Sequence, residues 1–172
     1  DTHVPSQNAT CMALPTDQAI STERNDHILK YYPENQEQKM GEIYRYAFVT
    51  DSVEGLIVVN VETLADGEPR NNFLKRTATW NENNVLAGAR HITIGGNYAY
   101  IAADVGLVVV DISDPKHPRL SATVPLRAAR ASALQFRYLW VTTADGLHLV
   151  DVTQLDKPVL IPSATLPVAN SQ

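Results

Sequence analysis

Two arginines occupy the same position in two similar stretches of the chain. Arg90 lies eight residues before Tyr98, Arg130 lies eight residues before Tyr138, and His91 follows the first arginine. A guanidinium group presents a planar fork of donors that binds a carboxylate or a phosphate through two hydrogen bonds. The pattern therefore predicts a binding site for an anionic ligand or for an acidic loop of a partner. An ion pair with a neighbouring Asp or Glu is the more favoured of the two interpretations, because arginine is suited to partly buried pairs.

The other residues that could do chemistry form no recognisable catalytic or metal-binding pattern. The sequence contains no Gly-rich phosphate loop, no paired-cysteine metal spacing and no nucleophile elbow. Asp51, Asp104 and Asp145 precede hairpin glycines at different offsets, so turn hydrogen bonding explains them better than a calcium site does. We therefore predict no catalytic residue, no metal and no cofactor.

Charge and hydropathy argue against two classes of partner. The 14 Lys and Arg residues and the 19 Asp and Glu residues are scattered along the chain, for a net charge of -5. Nucleic-acid-binding proteins instead concentrate basic residues in a patch. No apolar run approaches the roughly 20 residues of a membrane-spanning helix. We expect no nucleic-acid partner and no membrane-spanning segment.

A repeat organises most of the chain. Residues 98–112 align without a gap with residues 138–152, at a period of 40 residues, and residues 46–61 form an earlier copy. A period of this length is typical of solenoids, propellers and arrays. Each copy has two runs rich in aromatic and β-branched residues, separated by an Asp and Gly turn, which predicts a β-hairpin. Two further strands flank each hairpin, so we expect four antiparallel strands per repeat.

Several residues recur at fixed places in these repeats. Asp111 and Asp151 end the third strand of their copies, where an Asp accepts hydrogen bonds from the backbone of the following turn. The hairpin runs are apolar at nearly every position, so both faces of each sheet are expected to be covered. The glycines predicted to form the hairpin turns are Gly55, Gly106 and Gly146. The aromatic residues predicted to lie in the core are Tyr98, Tyr100, Tyr138 and Trp140.

Tyr-Ala-Tyr-Ile-Ala, followed by Gly-Leu-Val-Val-Val-Asp-Ile-Ser-Asp-Pro, resembles the LVIVD repeat family. The resemblance covers about residues 41–166, although the third copy lacks the Ser-Asp-Pro corner. It implies a β-propeller fold. Because members of the family occur mostly in exported or surface proteins of bacteria and archaea, it also implies an exported chain, in the periplasm, on the cell surface or outside the cell. The family has no single activity that the resemblance could confer.

The repeat predicts an all-β domain of three propeller blades, at about residues 41–85, 86–126 and 127–166. A polar extended arm or linker is expected over residues 1–40 and a tail over residues 167–172. Known propellers close with about four to eight blades, so three blades leave two open ends. We expect the chain to be part of a longer propeller, or to be closed by another chain or a second copy, or to have one end covered by its first 40 residues.

The favoured functional prediction is a non-catalytic scaffold or protein-recognition module of an exported or cell-surface protein. Resemblance to exported LVIVD proteins adds redox proteins such as cytochromes to the expected partners. The alternative is a propeller enzyme with a site for an anionic substrate at the mouth of the central channel, formed by Arg90, His91 and Arg130. An enzyme is less favoured because alanines, at residues 128, 129 and 131, stand where channel-side carboxylates would be needed.

Overall fold

The computed structural model describes residues 2–15, 42–64 and 69–168. These residues form three four-stranded antiparallel sheets joined by turns and short 3-10 helices. In each sheet the strands lie side by side in their order along the chain. The predicted all-β class and the three four-stranded repeats are confirmed. Within the described residues, no helix has the length and apolar character needed to cross a membrane.

We number the strands in chain order and refer to the sheets as blades. Blade 1 consists of β1 (Ala9–Ala13), β2 (Tyr46–Asp51), β3 (Gly55–Asn60) and β4 (Lys75–Trp80). Blade 2 consists of β5 (His91–Gly95), β6 (Tyr98–Ala103), β7 (Gly106–Asp111) and β8 (Arg119–Val124). Blade 3 consists of β9 (Ala131–Gln135), β10 (Tyr138–Thr142), β11 (Gly146–Asp151) and β12 (Val159–Pro167). The 3-10 helices are Glu42–Arg45, Glu62–Leu64, Pro69–Asn71 and Glu82–Asn84.

The innermost strand of blade 1 comes from the segment for which the sequence predicts an arm. β1 pairs antiparallel with β2, so that Ala13 lies opposite Phe48. The amide of Ser52 also donates to the carbonyl of Asn8 at 3.1 Å, which extends the pairing beyond the strand. The sequence predicts an arm and no strand here. Because β1 and β2 are distant in sequence and no hairpin turn joins them, no local signal marks their pairing. Most of the remaining predicted arm, residues 16–40, lies outside the described residues.

The two interfaces between blades contain most of the hydrophobic core. Successive side chains of a strand point to opposite faces of the sheet, so one strand can contribute to two interfaces. On one face of blade 2, Ile101 belongs to a cluster with Phe48 of blade 1. On the other face, Tyr100 belongs to a cluster with Leu139 and Val141 of blade 3. Blade 2 is therefore covered on both faces, which explains its uninterrupted apolar strands.

The blades follow one another through their innermost strands, and no described residue closes the stack into a ring. β1 contacts β5, and β5 contacts β9. The face of blade 1 that points away from blade 2 has its own small cluster of Ala47, Ile57 and Val59, against which Val4 and Leu74 pack. The far face of blade 3 is at the other end of the stack. Each end could therefore receive a further sheet.

Candidate functional site

Arg90 connects blade 2 to blade 3. Its backbone N–H donates to the carbonyl of Ala102 at 2.9 Å, which fixes its position at the start of β5. Its Nη2 forms an ion pair with the Asp104 carboxylate, and its Nη1 donates to the carbonyl of Ala129 at 3.3 Å. The Asp104 N–H in turn donates to the carbonyl of Ala87 at 3.0 Å. Two donor groups of the Arg90 guanidinium are therefore engaged in contacts within the protein.

Arg130 has the same backbone setting as Arg90 but a different environment for its side chain. The Arg130 N–H donates to the carbonyl of Thr142 at 2.8 Å, which is the counterpart in blade 3 of the hydrogen bond from the Arg90 N–H to the Ala102 carbonyl in blade 2. The residue that corresponds to Asp104 is Ala144, so the carboxylate that pairs with Arg90 has no counterpart in blade 3. The next residue, Asp145, forms an exposed ion pair with Arg127 at 3.3 Å. Arg130 thus lies at the edge of blade 3 without the ion pair that holds Arg90.

His91 links the innermost strands of blades 2 and 3. Its Nδ1 accepts a hydrogen bond from the backbone N–H of Ser132 at 3.2 Å. The hydroxyl of Thr93, on the same strand, lies 3.1 Å from the Ser132 carbonyl and donates to it. Burial lowers the pKa of His91, and an accepting Nδ1 requires the neutral ring with its proton on Nε2. His91 therefore adds no positive charge beside Arg90 at neutral pH. Binding of an anion by Arg90, His91 and Arg130 stays a prediction.

The recurring polar residues at the ends of the third strands stabilise turns. Asn60, Asp111 and Asp151 each accept a hydrogen bond at 2.8–2.9 Å from the backbone N–H two residues later. The hydroxyl and the N–H of Thr153, which both donate to Asp151, lower the pKa of that carboxyl. The same local contact is therefore made three times, once in each blade.

The three hairpin glycines have backbone conformations that other residues rarely adopt. The φ angles of Gly55, Gly106 and Gly146 are +91°, +127° and +141°. A Cβ added to Gly106 would lie 2.3 Å from the carbonyl oxygen of Val124 and 2.5 Å from the amide of Leu126. Both the conformation and the close approach of the neighbouring strand therefore require glycine there.

Asp51 holds the N-terminal segment against the hairpin turn of blade 1. Its buried carboxylate accepts hydrogen bonds from the N–H groups of Asn8, Val53 and Glu54 at 2.7–2.9 Å and from the hydroxyl of Ser6. Burial alone would raise the pKa of Asp51, but these hydrogen bonds hold it well below its usual range. In the part of the chain that the structure describes, no three His, Cys, Asp or Glu side chains come together to hold a metal.

Trp140 differs from its counterpart in blade 2. Tyr100 is fully buried, and its hydroxyl donates to the carbonyl of Leu155 in blade 3 at 3.0 Å. That burial raises the pKa of Tyr100 to about 12. Trp140 is partly exposed, although the sequence predicts a core position. Tyr100 lies on the face of blade 2 that blade 3 covers, whereas Trp140 lies on the equivalent face of blade 3, which is at the open end of the stack. The repeat pattern alone could not show which blade is the last in the stack.

The difference in exposure between blade 2 and blade 3 extends over the whole of this face of blade 3. Leu107 pairs with Val124 in blade 2, and Leu147 pairs with Leu166 in blade 3. Val124 is 8% exposed and Leu166 is 56% exposed. We call this surface the open face of blade 3. It consists of Trp140, Leu147, Leu149, Leu166 and Val168, whose counterparts in blade 2 are all buried.

Phe136 lies in the β9–β10 turn beside the open face of blade 3 and was not singled out from the sequence. It is 93% exposed, with a φ angle of +54°. Such a conformation costs a residue other than glycine about 1–2 kcal/mol. The corresponding residue in blade 2 is Gly96, and a Cβ added there would lie 3.0 Å from Leu155 Cδ1 of blade 3. The phenylalanine at a glycine position of the repeat was the signal that could have identified this residue.

Four-stranded antiparallel blades, stacked face to face with the same turn contacts in each, define a propeller-type repeat protein. Residues 88–125, which contain all of blade 2, match the LVIVD repeat family. The chain therefore carries an LVIVD repeat, in agreement with the resemblance seen in the sequence. No curated protein and no solved structure matches the chain.

Proposed function

We propose that this protein is a non-catalytic scaffold that recognises another protein through the open face of blade 3. The observation that carries the proposal is the exposure of large apolar side chains, including Leu166 and Val168, on a rigid sheet. Monomeric proteins rarely expose contiguous apolar surface unless it binds something. The blade beneath this surface is fixed by its core contacts with blade 2, so the surface is already formed before a partner arrives.

The residues at this surface are of the types that contribute most to protein–protein binding. Trp, Tyr and Arg are enriched among the residues that dominate binding energy. Trp140 lies on the open face. Phe136 and Arg130 occupy the repeat positions of Gly96 and Arg90, which in blade 2 lie against Leu155 and the Ala129 carbonyl of the next blade. Arg130 is a candidate to bind a carboxylate of the partner because it does not have the ion pair that holds Arg90. The strained backbone of Phe136 also supports a functional role, since such conformations cluster at functional sites.

The described residues provide no observation in favour of the enzyme alternative. Arg90 is held by Asp104 and by the carbonyl of Ala129, and His91 accepts from Ser132. These contacts engage two of the three residues predicted for an anionic-substrate site at the channel mouth, and the Arg130 side chain alone has no such contact among the described residues. The scaffold function is therefore the one that the geometry supports best.

Resemblance to exported LVIVD proteins extends the proposal to the location and the partners. We place the protein in the periplasm, on the cell surface or outside the cell, with redox proteins such as cytochromes among its partners. Fractionation of the source cells followed by immunoblotting tests the location. Recovery of the natural gene product in the cytoplasmic fraction would contradict export.

A photo-crosslinking experiment in the source cells tests the recognition function. Phe136 is replaced by the photoreactive amino acid p-benzoylphenylalanine, and the same replacement at Val105 is the control. Val105 is also an exposed apolar residue in a hairpin turn, but it belongs to blade 2. We expect a discrete protein adduct at position 136 and none at position 105. No adduct at position 136, or the same adducts at both positions, would contradict the proposal.

A further inference from the structure

We infer that the occupant of the open face of blade 3 is blade 1 of a second copy of this chain, so that two copies close one six-bladed ring. This inference rests on the proposed recognition function and names the partner. It is carried by the correspondence between the two open ends of the stack and the interface already formed between blades 2 and 3.

The outward face of blade 1 corresponds to the face with which blade 3 covers blade 2. The pairing of β2 with β3 places Val49 opposite Ile57, as the pairing of β10 with β11 places Val141 opposite His148. In blade 3 this face contributes Leu139, Val141 and Val150 to the core shared with blade 2. The corresponding residues of blade 1 are Ala47, Val49 and Val59.

The apolar residues of blade 1 line an open groove of about 540 Å³, which we call the blade 1 groove. Met12, Leu14 and Leu64 lie at this groove and are themselves exposed. Thr2, His3 and Val4 also line it, so a second copy would displace this short segment as it seats. An apolar groove of this kind matches the apolar open face of blade 3.

Leu64 is the residue of blade 1 that corresponds to Leu155 of blade 3. In blade 1 the N–H of Val61 donates to the Arg45 carbonyl at 2.9 Å, and in blade 3 the N–H of Val152 makes the corresponding contact with the Arg137 carbonyl at 2.8 Å. Three residues after each of these valines the chain reaches Leu64 and Leu155, respectively.

The role of Leu155 predicts the role of Leu64 in the second copy. Leu155 lies against Gly96, and its carbonyl accepts a hydrogen bond from Tyr100. The counterparts of those two residues on blade 3 are Phe136 and Trp140. In the assembled ring, Leu64 of the second copy therefore faces Phe136, and its side chain takes a different rotamer from that of Leu155, because a Cβ at the glycine position would already lie 3.0 Å from Leu155 Cδ1. Its carbonyl approaches Trp140, whose indole N–H donates to Gln135 Oε1 at 3.4 Å within one copy and changes partner on assembly.

The number of blades favours two copies. Propellers close with about four to eight blades. Two copies of the three blades formed by the described residues give six, and a two-fold axis covers both open ends at once through two identical interfaces. Three copies would give nine blades, which lies outside that range.

The first test is the mass of the purified full chain by light scattering over a series of concentrations. We expect a species of twice the 18.9 kDa of one chain, in equilibrium with the monomer. Phe136→Gly and Leu64→Ser should each weaken dimerisation at least tenfold. Val105→Ser is the matched control and should leave the dimer unchanged. Phe136→Gly should not lower thermal stability, because glycine relieves the left-handed backbone; this separates a loss of contact from a loss of fold.

A cross-linking test distinguishes a closed ring from an open chain of copies. Leu64→Cys and Phe136→Cys are combined with Cys11→Ser, and the protein is oxidised. We expect covalent dimers without higher species, because both interfaces of a two-membered ring close within the pair. A ladder of trimers and larger species, or no cross-link at all, would overturn the ring.

The outcomes also separate this inference from the proposed function. A chain that stays monomeric at every concentration, or a dimer that Phe136→Gly and Leu64→Ser leave unchanged, overturns closure by a second copy. If the photo-crosslink at position 136 still captures a different protein, the recognition function stands and only the identity of the occupant is wrong.

Discussion

Replacing Arg90 and Arg130 by alanine should have unequal effects on stability, although the two arginines occupy the same position of the repeat. Arg90 forms an ion pair in which its side chain is 40% exposed and that of Asp104 is 57% exposed. A pair this exposed contributes about 0.2–1 kcal/mol, because solvent screens it. The hydrogen bond from Arg90 to the Ala129 carbonyl adds about 0.5–1.5 kcal/mol. We therefore expect Arg90→Ala to lower the free energy of unfolding by about 1–2 kcal/mol.

Arg130→Ala should change the free energy of unfolding by less than about 0.5 kcal/mol, as is usual for a surface substitution that removes no specific contact. Urea denaturation followed by circular dichroism measures both variants. At 1 M salt, where charges are screened over about 3 Å, the loss in Arg90→Ala should shrink towards the part due to the hydrogen bond.

Ala144→Asp supplies a control within the same chain. It introduces a carboxylate at the position in blade 3 that corresponds to Asp104, so that this carboxylate stands in the same relation to Arg130 as Asp104 does to Arg90. We expect it to stabilise the wild-type protein by about 0.2–1 kcal/mol and to have no such effect in Arg130→Ala. Equal losses for Arg90→Ala and Arg130→Ala, or no loss for Arg90→Ala, would show that the Asp104 pair does not hold Arg90 and would return that arginine to the candidates for anion binding.

Three further predictions follow from single residues. Gly106→Ala should lower the free energy of unfolding by about 3 kcal/mol, measured by urea denaturation, because a Cβ would meet the Val124 carbonyl at 2.3 Å and the backbone conformation would be strained. Because the pKa of folded His91 is lowered, the contribution of its neutral ring to stability should be complete above the unfolded pKa of about 6.5 and be lost as the pH falls below that value. Urea midpoints at a series of pH values should show this loss of stability, and His91→Gln should abolish the pH dependence. Asp51→Asn should lower the free energy of unfolding by about 2 kcal/mol near neutral pH. Because the pKa of folded Asp51 is lowered, the stabilisation by its carboxylate is present above about pH 4 and lost in acid. The thermal midpoint of the variant should therefore depend less on pH in the acid range than that of the wild type.

The hairpins could be predicted from the sequence because their signals are local. Aromatic and β-branched runs, separated by a turn with glycine, are readable within about 15 residues. β1 could not be found in this way, since the contacts that hold it come from Asp51 and the edge of β2, far along the chain. A strand added by such distant pairing has no turn chemistry of its own.

The candidate site shows the same division between local and distant information. The sequence presents Arg90 and Arg130 as equivalent, and their backbone hydrogen bonds are indeed alike. Their side chains differ because Asp104 in one blade is Ala144 in the next, and only the strand register shows that this residue comes within reach of the arginine. The repeat alignment was sufficient to locate the position but not to assign its role.

The composition of blade 3 is itself an argument that its open face has a partner. A sheet with one face in water normally alternates apolar and polar residues along its strands. In blade 3, Leu147 and Leu149 point to the open face, and Leu166 lies beside Leu147 on the outer strand, where an exposed sheet would have polar side chains. The corresponding positions of blade 2 carry residues of the same kind, and there the next blade buries them. The sequence of blade 3 is thus that of an interior blade, which is the reason to seek its partner in another blade of the same repeat.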